Sequence, residues 1–191
     1  MRLPSIEKGG PQVHALDVRM QQERGRRLPD IVRVFLFRAE PFGEPFGRYV
    51  DRVLRGPSEW TTGERELFGA FVSARNVCRF CTTIHAAIAV EGMLGIDVNA
   101  LLADWRTQDL SPRLRAALQF LDVLTLVPAK VSPESVRVLR ECGVRDAGIE
   151  DLVHIATIFC TINRVADALG FLVPSPQEMA RDAPRLLAQG Y

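Results

Sequence analysis

The sequence predicts an all-α protein built from about eight helices joined by short connections. Three observations support this fold class. Apolar residues recur at three- and four-residue intervals over most of the chain, and prolines and glycines separate these periodic segments. No stretch alternates apolar and polar residues convincingly over five or more positions, as a half-buried strand would. A length of 191 residues suits one domain with a substantial core.

The first 28 residues differ from the rest of the chain. They are polar and basic, and they contain an early Gly-Gly-Pro sequence at residues 9–11. Such composition is typical of a segment that buries little apolar surface. We therefore expect residues 1–28 to form an N-terminal arm that precedes a helical domain of residues 29–191.

Three helices are expected in the first part of this domain. Residues 29–40 and 46–56 carry apolar residues at helical spacing, with prolines and glycines between the two segments. The third helix, over residues 61–76, opens with Thr61 and Glu64 at the spacing of a capping box. It places four large apolar side chains on one side: Leu67, Phe68, Phe71 and Val72.

Five further helices are expected after Asn76. The first contains the cysteine-rich segment, and a short one follows at residues 97–105. The helices over residues 111–128 and 132–143 both open with Ser-Pro, in which the serine caps the helix and the proline takes its first position. The last and longest, residues 149–170, is apolar nearly all round from Leu152 to Ile162 and should lie centrally.

Composition excludes several classes of partner. The net charge is +1, so nothing in the totals favours binding to nucleic acid or to an acidic membrane surface. No run approaches the ~18 apolar residues of a membrane span, and no signal-peptide pattern is present. We therefore expect a cytoplasmic protein. In a reducing compartment the four cysteines are not expected to form a disulfide framework, so a close C-x-x-C pair indicates catalysis or metal binding.

The segment "ARNVCRFCTTIHAAIAV" carries the chemistry. On one helix, Cys78, Cys81 and His85 share a face, with neighbouring Cβ atoms ~5–6 Å apart. Histidine at this distance can accept the proton of a thiol, and the thiolate is the nucleophilic form. We expect the helix to begin near Asn76, a good N-cap residue, so that its positive end lowers the pKa of both thiols.

Glu66 is the fourth candidate residue. In one unbroken helix it would lie about 18 Å from Cys78, at ~1.5 Å per residue. Asn76, however, lies ten residues after Glu66 and nine before His85. A turn there into an antiparallel hairpin returns Glu66 to the level of His85. A carboxylate beside the imidazole would orient it, fix its tautomer and make it a better base. The predicted site is thus a relay from Glu66 through His85 to Cys81, with Cys78 as the disulfide partner.

Two plainer interpretations remain open. Free cysteine is among the most buried residue types, so the C-x-x-C pair could simply belong to the core. Two thiolates and one imidazole could also bind zinc, although a structural zinc site needs four ligands. The remaining cysteines, Cys142 and Cys160, lack paired spacing and are interpreted as structural.

The run "GERELFGAFVSARNVCRFCTTIH" resembles the AhpD-like alkyl hydroperoxidase branch of the carboxymuconolactone decarboxylase superfamily. The pattern of this branch is a glutamate, eleven residues, then C-x-x-C-x-x-x-H, and Glu66, Cys78, Cys81 and His85 match it position for position. Residues 159–170, "FCTINRVADALG", also resemble the final core helix of its peroxidase-related members.

The resemblance implies an all-helical fold that assembles as trimers or hexamers. It also implies thiol-dependent reduction of peroxides, in which Cys81 attacks the peroxide and Cys78 resolves it to a disulfide. No organic cofactor or metal is implied. The electrons would come from a dithiol donor, either a lipoylated protein or a thioredoxin-like partner.

One position departs from the family pattern. The founding enzymes carry a second histidine between the two cysteines, where this chain has Phe80. Their full proton relay and their particular substrates are therefore not expected to carry over. Superfamily members that decarboxylate lactones lack the cysteine pair. A decarboxylase, a zinc-binding protein and a structural protein without activity are the alternatives to the peroxidase.

Overall fold

The protein is all-helical, as predicted. The computed structural model describes residues 1–191 and contains eleven α-helices and no strand. In chain order these are α1 (Pro4–Lys8), α2 (Pro11–Arg24), α3 (Asp30–Phe37), α4 (Glu44–Arg55), α5 (Thr62–Arg75), α6 (Arg79–Gly92), α7 (Val98–Ala103), α8 (Pro112–Leu126), α9 (Pro133–Glu141), α10 (Asp146–Leu169) and α11 (Pro176–Gln189). A π-helical turn, Ala39–Gly43, precedes α4, and a 3₁₀ turn, Pro128–Lys130, follows α8.

All eight expected helices are present, as α3 to α10, and three more are found. Two of them, α1 and α2, lie in the segment predicted to be an arm. They are attached to the rest of the protein by buried Ile6 and Val13 and by the Arg2 backbone N–H, which donates to the Leu169 carbonyl at 2.7 Å. Each of these helices buries a single apolar residue. The mainly polar sequence of this segment therefore lacks the apolar periodicity from which a helix is predicted.

The third additional helix, α11, follows the last segment that was predicted helical. Its start repeats the Ser-Pro pattern of the two Ser-Pro helices, because the Ser175 hydroxyl accepts from the Glu178 backbone N–H and Glu178 bonds back to Ser175. This capping box was a usable sequence signal. Pro184 inside the helix and the polar composition concealed it.

The core is formed chiefly by α5, α6, α8 and α10. The apolar stripe predicted on α5 is buried in full, and its residues Leu67, Phe68, Phe71 and Val72 are at most 1 % exposed. The predicted central helix, α10, buries Leu152, Ile155 and Phe159 against α5 but leaves Val153 exposed. α10 is the one helix long and apolar enough to cross a membrane by length and composition, and it is a core helix of this fold.

Helices α5 and α6 form a close antiparallel hairpin. A Cβ atom at Gly63 would lie 2.5 Å from the Gly92 carbonyl oxygen, so two glycines allow the backbones to approach at the open end of the hairpin. A Cβ atom at Gly69 would lie 2.3 Å from the Phe159 ring, which occupies the space beside α5. The first contact sets the distance between α5 and α6, and the second sets the distance between α5 and α10.

The turn between α5 and α6 differs from the prediction in one respect. Asn76 was expected to cap the start of the cysteine-containing helix, but it ends α5 instead. Val77 follows with a φ of 61°, and the Cys78 backbone N–H donates to the Ser73 carbonyl at 2.9 Å. This is a Schellman ending, in which glycine would normally take the left-handed position. The chain therefore re-enters a helix only at Arg79, with Cys78 as the N-cap.

Candidate active site

The hairpin brings Glu66 and His85 into direct contact, as the spacing around Asn76 predicted. Glu66 Oε2 lies 2.6 Å from His85 Nδ1. Glu66 is 0 % exposed and His85 is 8 % exposed. Because a carboxylate at this distance accepts the Nδ1 hydrogen, the proton of a neutral imidazole is held on Nδ1. His85 Nε2 makes no hydrogen bond within the chain and is accessible to solvent, so it is free to accept a proton.

The plane of the His85 ring is set by the core. The Phe159 ring of α10 meets it edge to face, at 4.5 Å between the ring centroids and an interplanar angle of 88°. Phe159 occupies this position because Gly69 opposite has no side chain. An imidazole with a fixed ring plane and a fixed tautomer is a better-oriented base than a freely rotating one.

Two residues that the sequence did not indicate complete the surroundings of Glu66. Arg55, the last residue of α4, places Nη2 2.6 Å from Glu66 Oε1. The Tyr191 hydroxyl lies 2.9 and 2.8 Å from the two Glu66 oxygens and 2.8 Å from His85 Nδ1. Arg55 also donates to the Leu186 carbonyl of α11 at 2.8 Å, which connects α4, α5, α6 and the chain after α11 in one network.

The electrostatics keep Glu66 ionised and Tyr191 protonated. Burial acts to raise the pKa of Glu66, but His85, Arg55 and Tyr191 together outweigh it and hold that pKa below its ordinary value. Burial raises the pKa of the Tyr191 hydroxyl well above its ordinary value, and the negative charge of Glu66 adds to this effect. Tyr191 as a whole is 56 % exposed, so it is its hydroxyl end that lies within the network. The hydroxyl therefore acts as a donor to the carboxylate.

The two cysteines of the C-x-x-C pair are free thiols with different environments. Cys78 is 0 % exposed and Cys81 is 2 % exposed. Interaction with the Cys81 side chain and its backbone N–H lowers the pKa of the Cys78 thiol. The same pairing, together with burial, raises the pKa of the Cys81 thiol well above its usual range. The expectation that the helix start would lower both pKa values is therefore wrong for Cys81, because its contact with Cys78 and its burial outweigh the position of Cys81 in the first turn of α6.

Asp167 of α10 is a further residue that interacts with the cysteines. It lies three residues after Arg164, at the spacing of a helical ion pair, but the Arg164 guanidinium bonds to the Cys160 carbonyl instead. The Asp167 carboxylate acts to raise the pKa of both the Cys78 and the Cys81 thiols. Only the crossing of α10 over the start of α6 brings this carboxylate to the cysteines.

The remaining candidate ligands lie apart from the site. Cys142 and Cys160 are partly buried free thiols, and the Asn76 side chain contacts Cys160 Sγ at 3.6 Å. No group of three or more histidine, cysteine, aspartate or glutamate side chains is arranged to hold a metal ion. Two thiols, and an imidazole that a carboxylate orients, are groups that can carry out acid–base and nucleophilic chemistry at sulfur.

No protein-family model and no curated protein sequence matches the chain significantly. Solved structures do match it. An uncharacterized peroxidase-related protein from Silicibacter sp. TM1040 is 24 % identical, with 90 % of this chain and 88 % of that chain covered and a TM-score of 0.76. An AhpD-core, uncharacterized peroxidase-related protein from Ralstonia eutropha JMP134 is also 24 % identical, with 94 % of each chain covered and a TM-score of 0.75.

An enzyme of another activity is similar as well. The debrominase Bmp8 is 19 % identical, with 91 % of this chain and 92 % of that chain covered and a TM-score of 0.68. A cysteine-to-alanine variant of Bmp8 has also been solved in complex with 2,3,4-tribromopyrrole. At these identities the similarity is one of fold. The chain therefore has the all-α fold of the AhpD-like peroxidase-related proteins, a fold that also serves a debrominase.

Proposed function

We propose that this protein is a thiol-dependent peroxidase that reduces organic hydroperoxides through a Cys78–Cys81 dithiol and disulfide cycle. The observation that carries the proposal is the 2.6 Å contact between Glu66 and His85, one helical turn beyond Cys81. We infer that the oriented imidazole serves Cys81, four residues earlier on α6, since the raised pKa of this thiol means that it needs a base. The resemblance of the Glu66, Cys78, Cys81 and His85 pattern to AhpD-like enzymes supports the same activity.

The first half of the cycle takes place at Cys81. His85 Nε2 accepts the Cys81 proton, and the thiolate attacks the terminal oxygen of the hydroperoxide. The O–O bond breaks, Cys81 becomes a sulfenic acid, and the departing alkoxide takes the proton from the imidazolium and leaves as an alcohol. Glu66 stabilises the imidazolium that exists between these two proton transfers.

The second half uses Cys78. Its lowered pKa makes it the readier thiolate of the pair, and a thiolate is the form that attacks a sulfenic acid. The new S–S bond forms as hydroxide leaves Cys81 and is protonated to water. A dithiol donor then reduces the Cys78–Cys81 disulfide by exchange. We propose a lipoylated or thioredoxin-like protein as donor and a trimeric or hexameric assembly from the family resemblance, and a cytoplasmic location from the composition of the sequence.

The test is a thiol titration before and after one equivalent of an organic hydroperoxide. Wild-type protein is expected to lose two thiols per chain and to form one disulfide between Cys78 and Cys81. A Cys78→Ser variant should stop at a sulfenic acid on Cys81 that a sulfenic-acid probe traps. If the thiols remain intact at catalytic peroxide concentrations, the peroxidase proposal is wrong and only the fold assignment stands.

The alternatives have separate readouts in the same preparation. Because a debrominase shares this fold, release of bromide from a polybrominated pyrrole that depends on Cys81 would assign dehalogenation. A decarboxylase would act on a lactone acid in a Cys78→Ser, Cys81→Ser variant. A zinc protein would carry about one equivalent of zinc per chain, and a structural protein would leave all substrates unchanged.

Replacing Tyr191 by phenylalanine is expected to slow peroxide reduction about fivefold and to move the acid limb of the kcat/KM profile to higher pH. The hydroxyl donates to Glu66. Its loss removes one of the interactions that lower the pKa of Glu66, so the carboxylate is protonated at a higher pH and then no longer orients His85. The loss of one hydrogen bond should also cost about 1 kcal/mol of folding free energy.

The matched control is Tyr49→Phe, since the protein has two tyrosines. The Tyr49 hydroxyl also bonds to a histidine, His154 Nδ1 at 2.6 Å, but away from the cysteines. Tyr49→Phe should lose comparable stability and keep the wild-type pH profile. A Tyr191→Phe profile that coincides with wild type would mean that Tyr191 only supports the fold.

A further inference from the structure

A polar surface cleft of about 350 Å³ lies between the end of α2 and α11. Every residue that lines it carries a formal charge: Glu23, Arg24, Arg181, Asp182 and Arg185. Its volume falls in the ~300–1,000 Å³ range of small-molecule sites. Neither cysteine of the C-x-x-C pair lines it, and neither does any member of the Glu66–His85 network. A ligand in this cleft would therefore occupy a site of its own.

One buried carboxylate holds two of the arginines at the cleft. Asp182 is 5 % exposed. Its Oδ2 atom lies 2.5 Å from Arg26 Nη2, and its Oδ1 atom lies 3.3 Å from Arg181 Nε. Arg181 also donates to the Arg24 carbonyl at 3.3 Å, which joins α11 to the end of α2. The single negative charge of Asp182 is thus shared by two guanidinium groups.

Two other arginines of the cleft have no anionic partner. The side chains of Arg24 and Arg185 make no hydrogen bond and no ion pair within the chain. Arg185 is partly buried, and its Nε is enclosed without an acceptor. The second carboxylate of the cleft, Glu23, is paired with the exposed Arg19 at 2.7 Å. Two positive charges of the cleft are therefore uncompensated.

The cations of this cluster act on one another. Burial is the main cause that lowers the pKa of the Arg26 guanidinium, and the charge of Asp182 opposes it. The charges of Arg181 and Arg24 lower this pKa further. Guanidinium groups held this close repel each other, and an anion among them would remove that repulsion. Because partly buried charges are screened by salt less than exposed ones, the attraction for an anion persists at physiological ionic strength.

We infer that this cleft binds small molecules that carry a phosphate monoester. Arg24 and Arg185 supply the two unpaired positive charges, which a dianion complements better than a monoanion. The planar fork of a guanidinium also matches the oxygens of a phosphate in a bidentate arrangement. The inference is independent of the proposed peroxidase function, since it concerns residues that the redox cycle does not use.

The experiment is calorimetry with phenyl phosphate and phenyl sulfate at one ionic strength. Phenyl phosphate is mainly a dianion above its second pKa of about 6, whereas phenyl sulfate is a monoanion of the same shape. Wild-type protein should bind one phenyl phosphate per chain, about tenfold more tightly than phenyl sulfate, because the second charge meets a second guanidinium. Raising the salt concentration should weaken both affinities.

Arg185→Gln should weaken the binding of phenyl phosphate about tenfold, the effect of losing one charge-assisted hydrogen bond. Arg24→Gln should do the same, and it should fold normally because the Arg24 side chain has no partner within the chain. The matched control is Arg48→Gln, which removes an arginine of α4 whose side chain is 73 % exposed and lies outside the cleft. It should keep the wild-type affinity.

Hydrogen exchange locates the bound ligand. A ligand that bridges α2 and α11 should slow exchange in residues 20–26 and 178–189. The second range includes Leu186, whose carbonyl accepts from Arg55 of the Glu66 network at 2.8 Å. Absence of binding, equal affinity for phenyl phosphate and phenyl sulfate, an affinity unchanged in both cleft variants, or protection confined to other segments would each overturn the inference.

Discussion

Replacing Glu66 by glutamine is expected to slow peroxide reduction by about 10²- to 10³-fold, within the range that a positioned base contributes. An amide cannot stabilise the imidazolium as a carboxylate does, and its NH₂ group can turn toward Nδ1 and reverse the His85 tautomer. His85 Nε2 would then carry a hydrogen and could not accept the Cys81 proton. The measurement is the pH dependence of hydroperoxide consumption, with thiol content checked before each assay.

The same substitution should also destabilise the fold by about 3–5 kcal/mol, because it leaves the Arg55 guanidinium without its carboxylate, and the Arg55 side chain is only 12 % exposed. The folded-state pKa of Glu66 lies below its ordinary value of 4.5. Its contribution to stability is therefore present above about pH 4.5 and is lost as the pH falls through the lower folded-state value. Denaturant unfolding of wild type and variant should converge in strongly acidic solution.

Two further variants keep this prediction testable. Glu91→Gln removes an exposed carboxylate from the end of α6 and should change neither rate nor stability. A double variant, Arg55→Met with Glu66→Gln, removes both charges and should recover much of the lost stability while activity stays low. Restored activity in the double variant would show that Glu66 acts through folding alone.

Replacing Cys81 by serine is expected to reduce hydroperoxide consumption to the uncatalysed background. A serine hydroxyl is not oxidised to an equivalent of sulfenic acid, and the remaining thiol, Cys78, lies a full turn farther from His85 along the chain. Cys78→Ser, by contrast, should reduce one equivalent of hydroperoxide per chain rapidly and then stop, because no disulfide can form. Single-turnover assays with a sulfenic-acid probe distinguish the two variants.

Cys142→Ser is the matched control, since Cys142 is a partly buried free thiol outside the site. It should retain wild-type turnover. A sulfenic acid that forms on Cys78 in the Cys81→Ser protein, at the wild-type rate, would reverse the roles of the two cysteines. The lowered pKa of Cys78 makes this the specific alternative that the experiment must exclude.

The geometry of the Glu66–His85 pair could be predicted because it depends on local features. Glu66 and His85 lie at nearly equal distances from Asn76, so any tight antiparallel turn there brings them level. The helix starts at Thr61, Ser111 and Ser132 were likewise predicted, because a cap is made by residues three apart in the chain. The helices that were missed bury few apolar residues or contain an internal proline.

The asymmetry of the two thiols could not be predicted in the same way. It depends on the burial of Cys81 and on the interaction of the Cys81 backbone N–H with Cys78, which takes the N-cap position because α6 begins at Arg79. Asn76 has the side chain of a good cap, yet the left-handed turn at Val77 extends the ending of α5 past it. Nothing in the local sequence favours valine in this conformation, so only the three-dimensional structure reveals the shift.

The sequence by itself therefore determined the helical class, the hairpin and the relation of Glu66 to His85. Only the tertiary structure decided what surrounds them. Arg55 precedes Glu66 by eleven residues across a chain reversal, Tyr191 follows it by 125 residues, and Asp167 reaches the cysteines from α10. Contacts between segments so far apart follow from how whole helices pack, and local sequence spacing holds no information about that packing. These same contacts set the charge state of the site.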